Sequence, residues 1–396
     1  MRQIVCAGIP ALLLTVVSWA GPVSTAALAS SPLEITTPRV LATGLAVRAV
    51  GTGAEPSEDV LLQRRTAQRW VTVATTQAAA TGRFRFTYVP RRRAARYVLR
   101  AATARARSAE TVTQTRLVTF MAVGDVNLGD VPGQNIARFG PSWPWKSVGP
   151  VLRQADVALA NLECAVSFRG SPVEKTFRFR GLPSSLRAAA RSGGLDVVNL
   201  ANNHAGDFGT TAFTDTLRNA RRFGLATSGG GFTLQGALTP AVVTRLGLRI
   251  AVVGFSAIGP YSFATTGARP GTAWATPKNV RAAVRAARRQ ADVVIATFHW
   301  GVELATEPSA EQKQLAQLAL NAGAAAVIGA HPHVLQPVRL PAAKRLIAYS
   351  LGNFVFGAHS PGTEATGILT LGLDSSGVVT NSFRPARIVS GRPILR

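Results

Sequence analysis

Two rhythms of apolar and polar positions divide the chain. Between Leu33 and Arg107 bulky residues alternate with polar ones over short runs. In Arg83–Val89 the large side chains Phe84, Phe86 and Tyr88 fall on every second position, with Arg85 and Thr87 between them. That is the period of a half-buried antiparallel strand. Val60–Gln63, Trp70–Thr75 and Tyr97–Ala101 also read as short strands, with turn signals at Thr81-Gly82 and Pro90-Arg91. Strands recurring every ten residues or so predict a small β-sandwich over residues 31–115, with Ala102–Thr115 as its last strand or a linker. From Arg116 onward, continuous apolar runs alternate with helix-like segments. Strands are predicted at Leu117–Val123, Val157–Asn161, Val197–Ala201, Val293–Phe298 and Ala325–Gly329. Helices are predicted at Ser184–Arg191, Thr211–Phe223, Pro277–Arg288 and Ser309–Ala322, and a hairpin joins Ala241–Leu246 to Arg249–Phe255. Residues 116–396 therefore read as an α/β domain with a large mixed sheet.

The first thirty residues have a different character. Arg2, a nearly unbroken apolar run from Ile4 to Ala20, and Ala27-Leu28-Ala29 follow the order of a secretory signal, which predicts cleavage after Ala29. The other reading is an uncleaved N-terminal anchor. Both place the protein outside the cytoplasm, as a secreted or cell-envelope protein. With Cys6 removed, Cys164 is the one remaining cysteine, so a buried free thiol is expected and a disulfide framework is excluded. A single long apolar run also excludes a multispanning membrane protein.

The formal charge of +25 is spread along the chain, and attracts polyanions: teichoic acid, acidic polysaccharide, polyglutamate or anionic lipid. A GC-rich genome, whose codons favour arginine and alanine, would produce the same excess. The export signal, the lack of a basic stripe interleaved with aromatics and the lack of zinc-finger spacing argue against nucleic acid.

Candidate chemistry gathers where the predicted strands of the α/β part end. Leu117–Val123 runs into Gly124-Asp125-Val126-Asn127, and Val157–Ala160 into Asn161-Leu162-Glu163. Val197–Ala201 runs into Asn202-Asn203-His204, Val293–Phe298 into His299, and Val327–Gly329 into Ala330-His331-Pro332-His333. Ligands of open α/β sheets bind beyond the carboxyl ends of strands, so five stations converge on one place. Carboxylates, imidazoles and amide oxygens are metal ligands. Seven of them exceed one tetrahedral ion and suit two divalent ions about 3.5–4 Å apart sharing a carboxylate. His331 and His333, two apart in extended chain, would place both imidazoles on one side. Only His359 among the histidines falls outside this set, in a Gly/Pro-rich loop.

Six ordered motifs carry a resemblance: GDVNLGD (Gly124–Asp130), NLE (Asn161–Glu163), NLANNHAGDFG (Asn199–Gly209), HWGVE (His299–Glu303), GAHPHVLQP (Gly329–Pro337) and YSLGNFVF (Tyr349–Phe356). The stretch from Arg116 to about Pro385 resembles the bacterial poly-gamma-glutamate capsule-synthesis (CapA) family, a branch of the calcineurin-like metallophosphoesterases. The resemblance implies a four-layer sandwich, two mixed sheets flanked by helices, with a dinuclear metal site at the strand ends. It implies one ion held by Asp125, Glu163, His333 and Asn127, and another by Glu163, Asn203, His299 and His331. Manganese, iron and zinc are not distinguished.

By the same resemblance His204 acts on the leaving group. Asp207 and Glu303 are candidates to orient the ligand imidazoles or close the pocket. Lys175, Arg178 and Arg180, in KTFRFR and read as strand, are candidates for an anionic substrate. Asn127 stands where the wider group has a His, Glu163 where it has an Asp, and Ala205 where an acid often follows the Asn-His pair. The N-terminal segment weakly resembles immunoglobulin-like (Ig-like) modules. Three functions follow. One is metal-dependent hydrolysis of an anionic envelope substrate, a phosphoester or a polyglutamate-type polymer. Another is a non-catalytic accessory role, binding that polymer beside membrane- or wall-associated capsule machinery. The third is a wall-associated binding module in which the N-terminal sandwich does the work, and the completeness of the motifs favours a metal site over it.

Overall fold

The computed structural model describes residues 31–90 and 95–396. The expected export segment with Cys6, and Arg91 of the expected Pro90-Arg91 turn, lie outside the described residues. After Arg116 the apolar runs become strands covered on both faces, which is why they read as continuous rather than alternating.

An eight-stranded sheet has the order Ala226–Ser228, Val197–Asn199, Val157–Leu162, Val118–Val126, Ala365–Asp374, Gly377–Val389, Arg392–Leu395, with Asn353–Val355 also paired to Val118–Val126. Its first four strands are parallel and its last three antiparallel. A six-stranded sheet has the order Ala241–Arg245, Leu248–Ser256, Val293–His299, Ala326–Ala330, Leu346–Ala348, Val338–Arg339, with four parallel strands between two antiparallel edges.

Strand alternation decides the layers. Phe120, Leu159 and Val197 of the first sheet pack on Ile250, Ile295 and Ile328 of the second in one shared core. The intervening residues Met121, Ala160 and Val198 face away, under Leu186, Phe213 and Leu217 of the helices Pro183–Arg191 and Gly209–Arg222. On the far side Val253, Val294 and Phe298 lie under Val280, Val284, Leu315 and Ala319 of the helices Pro277–Gln290 and Ala310–Ala322. The result is helix, sheet, sheet, helix, in the mixed α/β class. Helix starts follow capping chemistry: the Ser309 hydroxyl accepts the Gln312 N–H (3.2 Å) while Gln312 Oε1 accepts the Ser309 N–H (2.9 Å), a capping box.

Residues 34–116 contribute a three-stranded and a five-stranded sheet, enclosing Val47, Leu62, Phe84, Phe86 and Leu99. Thr111–Arg116, read as strand or linker, is a strand paired to Arg96–Ala102 and Val40–Ala42. This part is seated on the α/β part by Ala42 N–H donating to Leu246 O (2.8 Å) and Ser375 N–H to Thr43 O (3.3 Å). At the same junction Arg116 grips Asp156 through both guanidinium nitrogens (2.6 and 2.7 Å), and the Asp156 carboxylate also accepts the Thr119 N–H.

Burial works to raise the Asp156 pKa, but the Arg116 and Thr119 hydrogen bonds and the Arg116 charge outweigh it and hold the carboxyl below its usual value. A depressed folded pKa contributes stability above the unfolded value of about 4, lost as pH falls through the folded one. Asp156→Asn is expected to lower the unfolding free energy by about 1–2 kcal/mol at neutral pH, Arg116 being partly solvated. Urea unfolding at pH 7 and at a pH near 3 checks this. The difference between variant and wild type should shrink at the lower pH.

Candidate metal centre

The centre forms where the parallel strands of both sheets end. Asp125 lies inside the strand Val118–Val126, two residues beyond the predicted end, because its N–H donates to Gly352 O (2.9 Å) and extends the sheet. That approach needs the preceding glycine, since a Cβ on Gly124 would sit 1.8 Å from Gly352 O. Glu163 follows Val157–Leu162, His299 ends Val293–His299, and His331 follows Ala326–Ala330.

Glu163 is completely buried, and neither of its carboxylate oxygens has a hydrogen-bond partner among the described residues. His299 Nε2 is 3.3 Å and His204 Nε2 4.0 Å from Glu163 Oε1. Burial first, and the neighbouring Asp125 charge second, push its pKa well above the ordinary carboxylate range. Asp125, equally buried, behaves oppositely. Burial would raise it, but a hydrogen bond from His333, the His299 and His333 charges and the Asn161 amide hold it at about 2. Asn161 Nδ2 donates to Asp125 Oδ1 (2.8 Å), and the His331 backbone N–H donates to Oδ2 (3.2 Å).

The imidazoles divide by environment. Burial lowers His299 to about 3 and His331 to about 2, so both are neutral, the state a metal ligand needs. His299 Nδ1 lies 3.1 Å from Asn161 Nδ2 and its Nε2 2.8 Å from Asn203 Oδ1. His331 Nδ1 is buried without a hydrogen-bond partner among the described residues. His333 is also buried, which would lower its pKa, yet the Glu163 and Asp125 charges and hydrogen bonds to Asp125 and Asn353 raise it to about 10.

Ligand atoms of Asp125, Glu163 and His299 lie within 4.8 Å of one another, as do those of Glu163, His331 and His333. Two donor groups therefore share Glu163, dividing the imidazoles differently from the division the resemblance implies. A doubly unpartnered buried carboxylate, an unpartnered imidazole nitrogen and two neutral histidines fit a divalent cation. The buried groups lack the counter-charge that a cation provides.

Beside this group lies a second cluster. The Asp207 carboxylate accepts from His204 Nδ1 (2.6 Å), Lys175 Nζ (3.0 Å) and the Phe179 N–H (2.7 Å). The His204 ring packs against Phe179, 4.2 Å between centroids and tilted by 31°. Burial lowers the His204 pKa despite Asp207. A cleft of about 520 Å³ opens over His204, His333 and Asn353, with Phe177, Arg178, Glu303 and His359 among its lining residues.

Several readings of the sequence change here. The chain between Ser171 and Phe179 is irregular, and only Arg180-Gly181 form strand. Lys175, Arg178 and Arg180 therefore do not share a face. Lys175 turns inward to Asp207 and also donates to Asn203 O (2.9 Å), and Arg178 reaches the cleft. Arg180 donates to Gly170 O (2.7 Å) and stacks 3.7 Å over Phe208. Glu303 is exposed at the cleft and has no hydrogen bond to a ligand imidazole.

His331 and His333 are not extended. Their φ angles of 98° and 58° are left-handed, a conformation that costs a non-glycine residue about 1–3 kcal/mol. The rings still converge, 5.7 Å apart. Asn127 is fully buried, but its Oδ1 accepts the Gly129 N–H (2.8 Å) while its Nδ2 has no partner among the described residues. Cys164 is a buried free thiol. His359, set aside in the sequence, lies 2.9 Å from Asp130 and lines the cleft.

Sequence reasoning also missed two positioning amides. Asn161 joins Asp125 to His299, and Asn353 Oδ1 lies 2.8 Å from His333 Nδ1. Their signal was present, since each sits in a motif (NLE and LGNF) beside residues that attract more notice.

A four-layer α/β sandwich with buried carboxylates and imidazoles at converging strand ends defines a candidate metalloprotein. Residues 119–358 match the family described as bacterial capsule synthesis protein PGA_cap, and the chain belongs to that family. It is 29% identical over 274 residues to the PGA biosynthesis protein CapA of Bacillus subtilis, covering 68% of this chain and 72% of that one. It is 28% identical to the capsule biosynthesis protein CapA of Bacillus anthracis, covering 70% and 69%. A probable polyglutamine synthesis accessory protein of Mycobacterium tuberculosis is 30% identical over 54% of this chain and 59% of its own length.

Replacing His331 and His333 together by Ala is expected to abolish bound transition metal while circular dichroism stays that of the wild type. Mass spectrometry of the metal content checks this. A full complement in the double variant would remove these residues from the ligand set.

Proposed function

We propose that the protein is a metal-dependent hydrolase of an anionic cell-envelope polymer, of poly-gamma-glutamate type, working outside the cytoplasm on a metallophosphoesterase-like site. The observation that carries this reading is Glu163, a buried carboxylate facing imidazoles, with no hydrogen-bond donor to either oxygen among the described residues. Asp125, Glu163, His299, His331 and His333 are the residues that would hold metal, with Asn203 and Asn127 as amide candidates and two ions as the expected number. Divalent ions so held polarise an electrophile and lower the pKa of coordinated water.

The chain's own residues divide the remaining work. The Asp207 carboxylate only accepts, so the His204 Nδ1 next to it carries the proton. His204 Nε2 is thereby turned toward Glu163, 4.0 Å away, where it can take up a second proton from solvent and pass it to the leaving group while Nδ1 keeps its own. Lys175 neutralises Asp207 and, by donating to the Asn203 carbonyl, fixes the backbone between Asn203 and His204. Arg178 at the cleft is placed to take a carboxylate or phosphate of the substrate. The N-terminal thirty residues direct export, and residues 31–115 form an Ig-like module of their own.

The accessory reading, polymer binding without turnover, has its own support. Only Asp125 and Glu163 bring negative charge to the ligand set, which compensates two dications poorly, and one relative carries the word accessory in its name.

His204→Ala is expected to lower turnover by roughly 10²–10⁴, the range for a positioned acid, with metal content unchanged. His299→Ala should lose metal and turnover together. Metal analysis and kinetics on a phosphodiester and on poly-gamma-glutamate check both. If His204→Ala strips metal as fully as His299→Ala, the division of roles is wrong. If the metal-loaded wild type turns over neither substrate, the accessory reading replaces hydrolysis.

A further inference from the structure

A second groove lies in the N-terminal all-β part, formed by residues that contribute nothing to the metal centre. It has a volume of about 700 Å³ and runs along the outer face of the three-stranded sheet, against Thr76–Ala79 and Thr81. Strand register determines what that face presents. In Val47–Thr52 the residues Val47 and Ala49 are buried while Arg48 and Val50 are exposed. In Phe84–Tyr88 the residues Phe84 and Phe86 are buried while Arg85 and Thr87 are exposed. Arg85 pairs across to Val50 and Val50 to Thr36, while Thr87 pairs to Arg48.

Arg48, Arg85 and the exposed Arg83 thus border one face with threonine hydroxyls between them. Arg83 and Arg85, two residues apart, are separated by about 7 Å along the strand. The groove has one carboxylate, Glu34.

Several arginines elsewhere on the surface are already committed. Arg65, Arg116, Arg169, Arg245 and Arg249 each have a carboxylate partner. The guanidinium groups of Arg48, Arg83 and Arg85 have no hydrogen-bond or ion-pair partner among the described residues. A guanidinium left with all its donors matches a carboxylate bidentately, and hydroxyl and amide groups of Thr36, Thr52, Thr76 and Gln77 offer hydrogen bonds to a polar backbone.

We propose that this groove is a second, non-catalytic binding site for a linear polycarboxylate chain. It rests on the envelope-polymer reading for the class of ligand and is independent of that reading's hydrolysis. Each solvated contact is weak. Affinity therefore comes from a chain that meets several at once, through the effective concentration of its later units. Binding should rise steeply with chain length and fall with salt.

The test is titration of the full chain, with metal removed by chelation, with poly-gamma-glutamate and polygalacturonate of defined lengths at two salt concentrations. Arg83→Ala with Arg85→Ala is expected to weaken binding of long chains by about tenfold and to flatten the salt dependence, leaving metal content and phosphodiester turnover of the reloaded protein unchanged. Glu34→Gln removes the groove's one carboxylate and is expected to tighten binding. Equal affinity of wild type and the double arginine variant for both polymers overturns the proposal, as does weaker binding by Glu34→Gln. If neither polymer binds while phosphodiester turnover persists, the groove assignment falls and the hydrolase reading stands. If binding follows the arginines but nothing is turned over, the reverse holds.

Discussion

The Glu163 carboxylate is sealed from water and has no hydrogen-bond donor among the described residues, and the surroundings are organised about that fact. Leaving a buried charge uncompensated costs several kcal/mol, and here the residue is pushed toward its neutral acid by burial and by Asp125. The same burial keeps His299 and His331 neutral. A set of this kind is poor at stabilising itself and well suited to a cation that supplies what each member lacks. Asp125 takes the other part. Its donors from Asn161, the His331 backbone and His333 keep it ionised, so the two carboxylates differ in what they need from a ligand.

Bringing donors from two sheets to one point demands close backbone approach. Gly124 allows the Asp125 strand to lie against Gly352, and a Cβ on Gly329 would meet Tyr349 O at 1.9 Å. Each glycine precedes a ligand candidate by one or two residues, so the glycines of GDVNLGD and GAHPHVLQP belong to the geometry of the centre. The left-handed His331 and His333 are the cost of turning both rings back over the strand ends.

How much of this was legible follows from which forces are local. Strands buried on both faces announce themselves as apolar runs, and the strands at Val118, Val157, Val197, Val293 and Ala326 begin within one residue of their expected places. Strand ends were harder. Asp125 was drawn into its strand by a partner 227 residues later, Gly352, and Val197–Asn199 stops short of Ala201 because Asn199 turns its side chain onto Ala201. KTFRFR, Lys175–Arg180, reads as strand, yet the pull of Asp207 on Lys175 and on the Phe179 N–H decides its path. No periodicity contains a tertiary ion pair. Asn161 and Asn353 were passed over because an amide that positions a ligand looks, in sequence, like any polar residue after a strand.

The departure at Ala205 illustrates the same point in reverse. The family resemblance placed an acid directly after Asn203-His204, and with Ala205 there the imidazole needs another partner, for which the sequence offered Asp207. The structure supplies one two residues further on, where Asp207 holds His204 Nδ1 at 2.6 Å. Lys175 then balances Asp207 at 3.0 Å, so this acid adds no net charge to the centre. On the proposed reading, Asp125 and Glu163 alone face two dications, and the loaded site is positive overall. Such a site holds its ions less firmly but draws anionic groups more strongly. Reciprocity of coupled binding then requires that an anionic polymer tighten metal retention by the same factor by which metal tightens polymer binding. The sparse negative charge that weakens the metal site in isolation is thus consistent with a centre completed by its substrate.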